Sequence, residues 1–113
     1  MTSVEDHFVA STNAVRKTYD AILRISRRLG PVEEQAKKTS IHLARRSAFA
    51  GVATRKEALI LTLKSNVKVD DPRIHKIEQT SANRWHLEVR LTDPAEVDAQ
   101  IEGWLKSAYE LAG

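Results

Sequence analysis

Lys37-Lys38-Thr39-Ser40-Ile41-His42-Leu43-Ala44-Arg45-Arg46-Ser47-Ala48-Phe49-Ala50-Gly51-Val52-Ala53, continued after Thr54-Arg55-Lys56 by Glu57-Ala58-Leu59-Ile60-Leu61-Thr62-Leu63-Lys64, decides the fold. Its apolar residues recur every second position, the period of a strand and not of a helix. Ile41 and Leu43 alternate with Ser40, His42 and Ala44. Phe49, Gly51 and Ala53 alternate with Ala48, Ala50 and Val52, and Leu59, Leu61 and Leu63 line one face of the most apolar strand. Three successive strands are therefore predicted, with basic residues at most of the turns. The middle strand is nearly all Ala and Gly, so something large must cover it closely, a helix by preference or else a ligand. On this count Phe49 falls on a core-facing register.

Outward from this stretch, helices are expected on both sides. Ser11-Thr12-Asn13 offers a helix start, and Val15, Tyr19, Ile22, Leu23, Ser26 and Leu29 form an apolar stripe that stops at Gly30-Pro31. Arg24, Arg27 and Arg28 lie in its last turns, where positive charge suits the helix dipole. Ser3-Val4-Glu5-Asp6 has the spacing of a shorter start, after which Phe8 and Val9 are expected to tuck against the body. Val32 to Ala36 reads as a first edge strand. Beyond the central stretch, Asn66 to Arg73 is a loop and Ile74 to Glu78 a short strand. Thr80-Ser81-Ala82-Asn83 is a turn, and Trp85-His86-Leu87-Glu88-Val89-Arg90-Leu91 is the clearest alternating strand. Asp93-Pro94-Ala95-Glu96 opens a last helix carrying Val97, Ile101, Trp104, Leu105, Ala108 and Leu111. The expected fold is α+β: helix, a mostly antiparallel meander of about five strands, helix, with both helices on one sheet face. Residues 1–113 form one domain without repeats or linkers.

Composition narrows the class. Hydrophobic residues make up 42% and charged residues 29% of 113, an ordinary globular balance. No apolar run approaches a membrane helix, and Glu5, Asp6 and His7 stand where a signal peptide would be basic and then apolar, so a cytoplasmic protein without membrane contact is expected. The absence of cysteine excludes disulfides, thiolate nucleophiles and thiolate zinc sites. The net charge of +3 hides an asymmetry. Arg16 to Lys56 holds eleven Lys or Arg against three acids, and Asp71 to the C-terminus five against eight. A basic half suits an anionic partner, and equally a solvated face neutralised by the last helix.

With Trp85-His86-Leu87-Glu88-Val89-Arg90-Leu91 and Asp98…Trp104-Leu105-Lys106-Ser107-Ala108-Tyr109 in view, the chain resembles the bacterial domain-of-unknown-function family numbered fifty-six fifty-five. Tyr19, Gly30-Pro31-Val32, Lys38-Thr39-Ser40-Ile41, Arg46 with Phe49-Ala50, and Asp71-Pro72-Arg73 also match. Ala44 and Thr54-Arg55-Lys56 depart from the more basic or aromatic character expected there. The resemblance implies a stand-alone protein, or a C-terminal module of longer chains labelled as predicted transport proteins and of nuclease-like chains. It implies no agreed activity and no cofactor.

Six residues make the candidate ligand-binding set: Lys38, His42, Arg46, Arg73, His86 and Arg90. Counting four along each strand puts His42 with Arg46, and His86 with Arg90, on the helix-free face, where guanidinium and ammonium groups can hold phosphate. The alternative is a wet sheet face with edge-protecting charges. His86 and Glu88, with His75 alongside, are the nearest approach to a metal site, and no metal or catalytic residue is assigned. There is no nucleophile triad, no paired carboxylate and no glycine-rich phosphate loop. The balance is against an enzyme, although a histidine in a pocket can serve as a general base. The leading expectation is a non-enzymatic module for nucleic acid or a phosphorylated ligand. The other expectations are a homodimeric or small-ligand scaffold using Ala48 to Ala53, and, third, a metal chaperone. Against nucleic acid stands the absence of exposed rings for base stacking.

Overall fold

A computed structural model describes residues 3–113. The chain runs through helix α1 (Asn13–Leu29), strands β1 (Glu33–Ala36), β2 (Ile41–Ala44), β3 (Ala48–Thr54), β4 (Leu59–Ser65), β5 (Ile74–Ser81) and β6 (Arg84–Leu91), and helix α2 (Ala99–Leu111). The six strands form one sheet in the order β1-β2-β3-β4-β6-β5, every neighbouring pair antiparallel. This is the expected α+β architecture with one strand more than the approximate count. Only the first four strands meander. β5 skips to the far edge and β6 folds back into the gap beside β4.

Both helices cover one face. Val15, Tyr19, Ile22 and Ile25 of α1 and Ile101, Leu105 and Ala108 of α2 share a core cluster with Ile41, Leu43, Val52, Leu61, Leu63, Leu87, Val89 and Leu91 from the sheet. Each buried aliphatic side chain of this kind contributes about 1.5–3 kcal/mol by leaving water. Ile25, absent from the expected stripe, is buried, whereas Leu23 is only partly covered.

Local signals explain the corners. Gly30 caps α1 at φ 153°, a backbone region L side chains rarely adopt, and a Cβ there would collide with the Tyr109 hydroxyl. That hydroxyl donates to the Pro31 carbonyl at 3.0 Å, so α2 locks the passage from α1 to β1. Tyr19 donates to Glu34 at 2.6 Å across the same corner, and burial together with that carboxylate pushes its phenol well above the ordinary range.

Four sequence expectations are corrected. Ser3 and Asp6 do exchange backbone–side-chain hydrogen bonds around a 3-10 turn, Glu5–Phe8, and the Phe8 ring packs on Tyr19, but Val9 is 82% exposed. Asp93-Pro94-Ala95-Glu96 closes its capping box around a single 3-10 turn, Pro94–Glu96. Val97 then leaves helical geometry, and α2 starts afresh with Asp98 accepting from the Ile101 N–H. β5 reaches Ser81, leaving only Ala82 and Asn83 in the turn to β6. Finally, β3 carries a bulge: Leu43 pairs with Ala50 and Ala44 with Ala48, so Phe49 is extra. Phe49 still enters the core, 1% exposed with its ring edge-on to Tyr109, but the side of every later β3 residue is inverted relative to simple alternation from Phe49.

Candidate anion-binding site

Because the bulge resets β3, Ala50 and Val52 face the helices while Ala48, Gly51 and Ala53 line the opposite, open face of the sheet. Among the described residues no helix covers that side. The pairing registers there join into one row from edge to edge: Gln35, His42, Gly51, Thr62, Glu88 and Lys76, each directly opposite the next. Lys64 and His86 pair in the neighbouring row on one side of it, and Ile60 and Arg90 on the other.

At the centre of this face the missing side chain of Gly51 and the short ones of Ala48 and Ala53 leave a hollow of about 260 Å³. Its ionisable lining groups are His42, Lys64 and His86. No carboxylate lines it. Thr62 adds a hydroxyl, and the Lys64 ammonium is held at the rim by donating to the Ser47 hydroxyl at 3.3 Å. Glu88, the nearest acid in the row, is engaged toward the far edge by His75 at 3.5 Å and Lys76 at 3.7 Å. His42 and His86 stand three strand spacings and one row apart, about 16 Å between their backbones. The hollow thus combines a small, mostly apolar floor with donors on both flanks, an arrangement suited to a small molecule bearing an anionic group.

The six candidate residues are divided by the structure. His42 and His86 line the hollow and Arg90 stands on the same face. Lys38 is exposed in the turn between β1 and β2. Arg46 does not share the face of His42 by strand spacing, because β2 ends at Ala44. Arg45 turns out of the sheet, its guanidinium stacked 4.6 Å over the Tyr109 ring and donating to the Tyr109 carbonyl, and the Arg46 N–H donates to Ala112. Arg73 is a structural clamp. It donates to both Asp98 carboxylate oxygens at 2.9 and 3.0 Å, to Gln100 at 3.0 Å and to the Glu96 carbonyl at 2.7 Å, tying the start of β5 to the start of α2. Hydrogen bonds from Arg73 and the Ile101 N–H hold the Asp98 carboxyl below its usual range.

The six-residue set lacks Gly51, Thr62 and Lys64, of which only Gly51 falls within the Ala48 to Ala53 strand of the small-ligand expectation. The alternation Leu59, Leu61, Leu63 already implied that Thr62 and Lys64 face outward. Gly51 required knowledge of the bulge. Among the described residues, no group of three or more His, Asp or Glu side chains is arranged to hold a metal ion, and no helix is long and apolar enough to cross a membrane.

A family model described as "Domain of unknown function (DUF5655)" matches residues 4–112. No curated protein and no solved structure matches the chain.

Proposed function

The chain belongs to this family, DUF5655, and from that premise, which assigns no chemistry, we propose that the protein is a binding module for a small phosphorylated ligand held in the open-face hollow. One observation carries the reading: the central strand is stripped to Ala and Gly on the side that no helix of the described residues covers, and the ionisable groups lining the space so left are all basic. Small residues beneath a helix are explained by the helix. Here nothing in the described chain occupies the space, so the ligand option of the two that Ala and Gly imply is the one supported.

The test is titration of the ¹⁵N-labelled protein with inorganic phosphate and with adenosine monophosphate at about 50 mM salt, where phosphate contacts are near their strongest. Amide shifts are expected to concentrate at Gly51, Thr62, Lys64 and His86, and K64E should weaken them. Silence from both probes up to about 10 mM, above the millimolar limit of weak recognition, removes the reading.

Nucleic acid is the second reading, favoured by the exposed basic turns at the two ends of β2, Lys37-Lys38 and Arg45-Arg46, with His42 between them. It is weakened by the position of Trp85 and Trp104, which pack against the core and not on the open face. An oligonucleotide that shifts the turns and β2 while the mononucleotide shifts nothing would favour this second reading over the first.

A further inference from the structure

Strand β5 ends the sheet with a free edge. His75, Lys76, Glu78, Gln79, Thr80 and Ser81 are all exposed, and only Ile74 and Ile77 are covered to any degree. Its pairing with β6 is irregular between Ile74 and Lys76 and again between Gln79 and Ser81, so the regular part of the edge is the four residues Lys76–Gln79. Along this edge a shallow groove of about 500 Å³ is lined by Ile74, Ile77 and Trp85 together with the polar Lys68, His75, Lys76 and Gln79.

We infer that this edge pairs with a second copy of itself, continuing the antiparallel sheet across a two-fold axis at Ile77. The choice of partner comes from the order of charges. Directly opposed residues of antiparallel strands lie on the same sheet face, so a two-fold edge contact must be centred on one residue. Centred on Lys76, it sets two ammonium groups against each other. Centred on Glu78, it opposes two carboxylates. Centred on Ile77, it sets Lys76 against the partner's Glu78 and Glu78 against the partner's Lys76, with Ile77 against the partner's Ile77 on the groove side. Centred on Gln79, it sets Glu78 against the partner's Thr80 and Lys76 against the partner's Ala82 and pairs no charges, so of the four registers only the Ile77-centred one is charge-complementary, and it is so twice by symmetry. The backbone accommodates it in either hydrogen-bonding phase. If the Ile77 N–H and C=O point outward, they pair with each other across the axis. If they point to β6, those of Lys76 and Glu78 do so instead. The intramolecular competitor of the new ion pair is Glu88, 3.7 Å from the Lys76 ammonium and partly occupied by His75. The partner's strand would close the groove and cover its apolar members, Ile77 and the half-buried Trp85.

Sedimentation equilibrium of the full chain tests this. The parent is expected to dimerise reversibly within protein concentrations up to about 200 µM, an association of about 5 kcal/mol or more, and more weakly as salt rises. K76E and E78K should each weaken the dimer about tenfold or more, because two opposite-charge pairs become like-charge pairs. An equimolar mixture of K76E and E78K should form a heterodimer, and the double variant K76E/E78K should regain the homodimer. All substitutions are exposed, and because K76E also sets a carboxylate against Glu88 within the chain, a retained cooperative thermal transition, even at a slightly lower Tm, verifies that the variants fold. A parent that stays monomeric throughout this range overturns the inference. So does a dimer indifferent to both single charge reversals, or a failure of the mixture and the double variant to restore association.

Discussion

Replacing Gly51 should separate stability from ligand capacity. The residue lies in the interior of β3 without a positive φ, and a Cβ built there meets only His42 Cδ2 and Thr62 Cβ, both at 3.9 Å, an ordinary van der Waals distance. Nothing in the backbone therefore demands glycine. Its entropic cost in a strand interior is about 0.5–1 kcal/mol relative to alanine. G51A should then raise stability by that amount, a rise in Tm of about 2 to 5 °C for a domain of this size, read by calorimetry. The same methyl group sits on the floor of the hollow, and G51V would fill more of it. Adenosine monophosphate affinity should fall slightly in G51A and about tenfold or more in G51V, the order expected when a side chain takes a ligand's place. A drop in Tm for G51A would mean that the bulge and its neighbours are tighter than their distances imply. Unchanged mononucleotide affinity in a folded G51V would mean that the ligand sits elsewhere, even if the protein binds it.

Three further outcomes follow from the corners of the fold. R73A removes the hydrogen bonds to Asp98, Gln100 and the Glu96 carbonyl, so urea unfolding should report a loss of about 1–3 kcal/mol, while the phosphate titration is unaltered; a binding defect without a stability loss would return Arg73 to the site. Asp98 and Glu96 both have carboxyls held below the ordinary range, Asp98 chiefly by Arg73 and Glu96 chiefly by the Thr92 N–H. Because their folded values are depressed, their contribution is fully present above about pH 4.5 and is lost as pH falls through the folded values. The parent should therefore lose more stability than D98N between about pH 5 and 3, and parallel acid unfolding curves would contradict this. G30A should destabilise by more than about 1 kcal/mol, since it adds both an unfavourable φ and a collision with Tyr109, and Y109F should relieve part of that collision in the double variant.

What could be read from the sequence was whatever depends on neighbours close in the chain. The alternation in Trp85–Leu91 assigned Leu87, Val89 and Leu91 to the core and His86, Glu88 and Arg90 to the open face, and the structure agrees, because β6 pairs with β4 without a register shift. The helix stop at Gly30 was legible for the same reason. What was not legible depends on a partner. The place of β6 between β4 and β5 is a non-local choice, and Arg73 looks like a free cation until α2 brings Asp98 to it.

The bulge at Phe49 decided how much of the site could be foreseen. Strand sidedness has a period of two, so one inserted residue sends everything beyond it to the other face. Counting from Phe49 put Gly51 and Ala53 in the core, where small residues merely make room for a helix. Counting from the pairing with β2 puts them on the open face, where the same smallness leaves a space. Phe49 is drawn inward because the ring has an edge-on partner in Tyr109, the residue that also secures Gly30 and stacks beneath Arg45. The side that presents Gly51 is set by the unshifted pairing with β4, which puts Gly51 opposite the outward Thr62 and Ala50 and Val52 opposite the buried Leu63 and Leu61. The strand's own small residues thus announced a covered or ligand-lined surface, and only the pairing with β2 and β4 decides which side it is on.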